Sequence, residues 1–71
     1  MVEITIRTEY ITLGQMLKLA NVVESGGIAK MVIIDGLVKV NGEVETRRGK
    51  KLYSGDIVSF EGQDYLIKNE N

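Results

Sequence analysis

Apolar and polar residues alternate from the start of the chain. Val2, Ile4 and Ile6 are separated by Glu3 and Thr5 and followed by Arg7, the period-two pattern of a half-buried strand. Thr8 to Ile11 reads as a connection into a helix. Thr12 suits an N-cap, and Gln15 stands at capping-box spacing from it. Leu13, Met16, Leu17, Ala20 and Val23 then fall at helical spacing, with Leu19 widening the apolar face and Lys18 pointing away. This predicts a first helix from about Leu13 to Val23. The stripe reads as core rather than a partner groove, because so short a chain needs every apolar face it has.

Ser25-Gly26-Gly27 breaks the pattern. Ser25 can cap a second helix, with Ile28, Ala29, Val32 and Ile33 on its buried face and Gly36 as the residue after its C-cap. The two glycines have two readings: a helix–helix turn, or an anion site where bare N–H groups meet a helix N-terminus. Lys30, one turn inside, favours the second. Leu37 to Val40 alternates as a strand, and Asn41-Gly42 is a strong hairpin turn. Val44 begins the return strand. Leu52 and Tyr53 lead into the turn Ser54-Gly55-Asp56, and Ile57 to Phe60 forms the next strand. Glu61 to Asp64 reads as a tight turn, and Tyr65-Leu66-Ile67 runs back. Asn69 to Asn71 reads as a frayed tail. The predicted class is α+β: two short helices packed on one face of a small, mainly antiparallel sheet of about four to five strands.

Length bounds the rest. The 71 residues are expected to form one domain, residues 1–71. A chain this short buries only a little over ~60% of the surface its unfolded form exposes, so its core is small. There is no cysteine and no histidine. That removes disulfides, thiolate metal sites, the Cys nucleophile and the commonest general base. Asp35, Asp56 and Asp64 sit at turn positions that explain them. No carboxylate pair, nucleophile–base arrangement or Walker pattern is present, so no enzyme, no catalytic residue, no metal and no cofactor is expected. No apolar run is long enough to span a bilayer, and the N-terminus lacks the layout of a signal peptide. A cytoplasmic monomer is the expectation.

Charge sharpens the picture. The formal net charge is −1, but it is unevenly spread. From Lys18 to Lys51 there are seven basic and four acidic residues, while the flanks hold two basic and six acidic. Arg47, Arg48, Lys50 and Lys51 fall within five positions, with no acid between Thr46 and Ser54. Local potential decides where a polyanion lands, so this loop is the leading candidate for a phosphate backbone.

The order of these motifs resembles the ribosomal protein S-four-type, or αL-motif, RNA-binding domain. The matching residues are Leu13, Ser25, Ala29-Lys30, Gly36-Leu37-Val38-Lys39-Val40-Asn41-Gly42 and Gly55-Asp56-Ile57-Val58. They cover about two thirds of the chain. Ser-Gly-Gly-x-Ala-Lys together with Arg-Arg-Gly-Lys-Lys-Leu-Tyr is similar to the small stand-alone bacterial YaaA-type branch of that family. The chain departs from the family where an Arg and an Asp open its first helix, here Thr12 and Gly14, and where an Arg follows the serine, here Gly26. The resemblance implies an αL-motif fold, RNA binding and a role in ribosome assembly or translation. The partner implied is ribosomal RNA or ribosomal particles, met by both helices and the loop after Asn-Gly.

The candidate RNA-binding residues are therefore Lys18, Gly26, Gly27, Lys30, Arg47, Arg48, Lys50 and Lys51. Arg47 and Arg48 can fork onto phosphate oxygens, Lys50 and Lys51 act as point charges, and Gly49 lets the loop bend. Tyr53, beside the loop, reads as a rim or core tyrosine, with stacking on a base as the sharper reading. The alternative class is a protein–protein interaction module whose basic loop binds an acidic partner.

Overall fold

In the computed structural model, which describes residues 1–70, seven strands and two helices surround one core. Strand β1 spans Val2–Ile6, β2 Ile11–Thr12, α1 Leu13–Leu19 and α2 Gly26–Ile34. Strand β3 spans Val38–Val40, β4 Glu43–Val44, β5 Lys51–Leu52, β6 Ile57–Phe60 and β7 Gln63–Asn69. The main sheet has the order β1-β7-β6-β3-β4, and β2 and β5 form a second, two-stranded sheet. Every pairing is antiparallel except β1 with β7, which is parallel with Val2 opposite Tyr65 and Ile6 opposite Asn69. The expected α+β class holds, with a mixed rather than wholly antiparallel main sheet.

The predicted alternation in β1 buries Ile4 and Ile6. Leu13, Met16 and Leu17 of α1, Ile33 of α2, and Val38, Leu52, Val58 and Ile67 of the strands are fully buried. A side chain of this kind stabilises a fold by roughly 1.5–3 kcal/mol when fully buried. No buried side-chain polar atom lacks a partner among the described residues.

The capping box forms as predicted. Gln15 N–H donates to Thr12 Oγ1 at 3.4 Å, and Thr12 N–H donates to Gln15 Oε1 at 3.1 Å. Helix α1 stops four residues short of the expected Val23. Asn21 turns left-handed at φ 59°, Asn21 N–H donates to Lys18 C=O, and Val22 N–H donates to Leu17 C=O. This is a Schellman ending with asparagine in the glycine position. Val23 is still buried, but from the connecting segment, and Leu19 is exposed rather than part of the buried face. Ser25 caps α2 by accepting from Ile28 N–H at 3.2 Å. Gly26 and Gly27 are therefore the first helical residues of α2, and the interhelix turn lies before them. Ile28 is exposed, leaving Ala29 and Ile33 as the buried face.

Four further expectations change. The stretch expected as a connection ends in β2, which pairs Ile11 with Leu52 and Thr12 with Lys51. Lys51, expected inside the basic loop, is therefore a strand residue. The last turn is only Glu61-Gly62, left-handed at φ 52° and 78°, so Gln63 and Asp64 already belong to β7. The tail is ordered at Asn69 and Glu70: Asn69 Nδ2 donates to Thr8 C=O, Glu70 N–H donates to Ile6 C=O, and Glu70 pairs with Arg7 at 2.9 Å. Asn71 lies outside the described residues.

Candidate nucleic-acid interface

The first turn of any helix leaves N–H groups without intrahelical partners. In α1 the basic loop supplies two of them. Leu13 N–H donates to Lys50 C=O at 2.8 Å, and Gly14 N–H donates to Arg48 C=O at 3.1 Å. Lys50 N–H closes the loop on itself by donating to Arg47 C=O. With Thr12 paired to Lys51 in the small sheet, the loop backbone is fastened to the entry of α1 at successive points. A run of cations that could have been a solvated excursion is thereby a shaped surface.

Gly14 decides how close the loop comes. A Cβ at this position would lie 2.7 Å from Arg48 Cγ and 3.4 Å from Cδ. The stem of Arg48 occupies space that any other residue would fill. The result is an open cleft of about 330 Å³, where Lys18 and Arg48 meet Gly14, Gln15, Gly26 and Ala29. Gly49 belongs to this cleft and also to a second depression lined by Arg47, Lys50, Lys51 and Tyr53. Six of the eight predicted residues thus border two adjoining depressions. Gly27 and Lys30 border neither. Lys30 is exposed one helical turn beyond Gly26, on nearly the same side of α2.

Arg47 is partly engaged within the chain. Its Nε donates to Glu45 Oε2 at 2.9 Å and its Nη2 to Glu45 Oε1 at 3.1 Å, and its backbone N–H also donates to Oε2. These bonds hold the Glu45 carboxyl down from 4.5 to about 2 and raise the Arg47 guanidinium above its ordinary value. The sequence window that excluded acids began at Thr46, one residue too late to include Glu45. A guanidinium has five N–H donors, so three of Arg47 remain for another acceptor, and its side chain is largely exposed.

Asn41 and Asp56 fix the far end of the loop. Asn41 Nδ2 donates to Asp56 Oδ1 at 3.1 Å, Ile57 N–H donates to Asn41 Oδ1 at 2.9 Å, and Tyr53 N–H donates to Asp56 Oδ2 at 2.8 Å. Asn41 and Gly42 carry φ of 51° and 86°, the pair of left-handed residues a type I′ turn requires. The Asn-Gly and Gly-Asp motifs are therefore two halves of one clamp, which sets where the chain leaves β5. Sequence reasoning also missed Tyr10. The β2–β5 ladder places its ring 5.9 Å from that of Tyr53, and Lys51 Nζ lies 4.8 Å from the Tyr10 ring centroid.

The model of the S4 domain family matches residues 4–68. The chain belongs to the S4 domain family. Within that family it is 58% identical over 59 residues to "Probable ribosome maturation protein RlbA" of Bacillus subtilis (strain 168), which covers 83% of each chain. It is 47% identical over 58 residues to "Putative RNA-binding protein YbcJ" of Escherichia coli (strain K12), covering 82% of this chain and 83% of that one. The solution structure of YbcJ from E. coli, described as revealing an αL motif involved in RNA binding, superposes with a TM-score of 0.73 at 38% identity. That match covers 96% of this chain and 87% of the other. The predicted αL-motif fold is therefore the fold of this S4 domain. Gly14 and Gly26 both border the cleft that holds Arg48, but only at Gly14 does the close approach require the missing side chain.

Proposed function

We propose that this S4 domain binds structured RNA, and ribosomal RNA in particular, in ribosome assembly or translation. The observation that carries the reading is the fastening of the basic loop to α1, which holds Arg48 beside Lys18 in one cleft and Lys50 and Lys51 along the adjoining one. Phosphates are recognised by cations at fixed spacing, and structured RNA is read largely through backbone and shape. Arg48 supplies a guanidinium from the loop to the cleft that Gly26 also borders. Lys30 extends the track along α2, and Gly26 and Gly27 present the first N–H groups of that helix. The names of RlbA and YbcJ support the same reading for this chain.

The decisive experiment combines Arg48→Glu with Lys50→Glu. The double variant is expected to lose binding to ribosomal RNA in a filter or mobility-shift assay while its circular dichroism spectrum stays native. Unchanged affinity would remove the site assignment. One observation favours a protein partner instead: Met31 and Ile34 stand exposed on the outer face of α2. Under that reading a partner that meets the basic loop with acidic residues also covers these two apolar side chains, and no RNA is shifted.

A further inference from the structure

We propose that Tyr10 and Tyr53 form a stacking platform for one unpaired base, so that the RNA is single-stranded where it meets the end of the basic loop. This rests on the RNA-binding reading and names the kind of RNA it requires. The two tyrosines are far apart in sequence, Tyr10 just before β2 and Tyr53 just after β5. The antiparallel register, with Ile11 opposite Leu52, carries both chains on to a Tyr10–Tyr53 pair. The rings are 5.9 Å apart and tilted by 49°, an edge-biased contact in which one ring buttresses the other. Lys51 covers one face of Tyr10 at 4.8 Å. Tyr53 is the more exposed of the two, at 44% against 37%, and is the ring better placed to receive a base.

Position separates this arrangement from an ordinary rim pair. Tyr53 borders the same depression as Arg47, Lys50 and Lys51. Tyr10 borders a different groove, with Glu9, Lys18 and Leu19. The aromatic pair thus joins a depression whose charged residues are all cations to a groove that holds Lys18 and Glu9. A strand whose phosphates follow the cations passes over the rings, and stacking on an aromatic face is available only to a base released from its duplex. The competing role, a cross-strand pair that only stabilises the short β2–β5 ladder, predicts a change in melting temperature and no preference among RNAs.

The chain offers its own reporter. It has three tyrosines and no tryptophan, and the third, Tyr65, is buried. Tyrosine emission therefore reports a base stacked on the exposed pair. The probes are an RNA hairpin with an unpaired loop and a blunt duplex of the same stem sequence. The hairpin is expected to quench the emission and to bind more tightly than the duplex. Tyr53→Leu is expected to weaken hairpin binding about tenfold, the order expected for one stacked base, and to leave duplex binding unchanged, while Tyr53→Phe retains both. Tyr10→Leu is expected to weaken the hairpin as well. Hairpin binding without quenching, together with Leu variants that bind like the native chain, would overturn the platform and leave the RNA-binding reading standing. No binding of either probe by the native chain would remove both.

Discussion

Arg48 lies against the bare α-carbon of Gly14, so close that a methyl group there would stand 2.7 Å from Arg48 Cγ. The contact joins the basic loop to the first helix at the cleft that also holds Lys18. A glycine in the first turn of a helix is otherwise unfavourable, and here its lack of a side chain is what admits the arginine.

Gly14→Ala should therefore displace Arg48. Alanine is the better helix former, but the clash involves Arg48 Cγ, which moves only by a χ1 rotation that carries the whole side chain out of the cleft or by a backbone shift. Overpacking of this kind costs about 1–3 kcal/mol. The expected result is a net loss of about 1 kcal/mol in urea denaturation and a severalfold loss of RNA affinity. Combining Gly14→Ala with Arg48→Ala should restore most of the stability and none of the affinity. A strictly additive double-mutant cycle would show that the two residues do not interact.

The Asn41–Asp56 clamp predicts a graded series. Asn41→Gly keeps the left-handed turn but loses both side-chain hydrogen bonds, at a cost of about 1–2 kcal/mol. Asn41→Ala loses the bonds and also strains the backbone at φ 51°, adding roughly 1 kcal/mol. Urea unfolding should rank the native chain above the glycine variant and the glycine variant above the alanine one. Equal stability of the two variants would mean that the turn conformation is not held as described.

The Glu45–Arg47 pair sets a pH expectation. The folded Glu45 carboxyl, at about 2, lies below its ordinary 4.5. The pair therefore adds stability that is complete above about pH 4.5 and is lost as pH falls through about 2. A carbon-detected NMR titration should show Glu45 taking up its proton only near pH 2, well below its ordinary midpoint. Glu45→Gln releases Arg47 and removes a negative charge from the loop, so RNA affinity should rise severalfold at neutral pH. A Glu45 midpoint near its ordinary value would show that the pair does not persist in solution.

Salt should report the number of cations engaged. For each phosphate neutralised, the log–log dependence of affinity on salt steepens by roughly 0.7 to 0.9. Lys18→Gln and Lys50→Gln should each flatten the slope by about one such step without changing the preference among RNAs. Lys39→Gln, on an exposed position of β3, should leave it unchanged. Equal effects at all three positions would indicate a diffuse charge effect rather than the proposed cleft.

Much of this molecule follows from local pattern. The alternation of Ile4 and Ile6, the Thr12–Gln15 capping box, Ser25 ahead of α2 and Gly36 after it, and the Asn41-Gly42 turn each depend on a few adjacent residues. Helical period, strand period, caps and left-handed turns are encoded at that range, and together they gave the α+β class, while the charge distribution gave the candidate loop and the family resemblance the αL-motif fold. Even within this range Asn21 was overlooked, because asparagine ends a helix less conspicuously than glycine does. Tertiary structure decided the rest. The parallel pairing of β1 with β7 joins the two ends of the chain, and no periodicity names a strand's partner. The same is true of Ile11 with Leu52, which fastens the loop and brings Tyr10 to Tyr53. The sequence by itself placed the cations in one loop. Only the packing of that loop over Gly14 gave them a shape, because backbone hydrogen bonds between distant segments depend on where the common core brings those segments together.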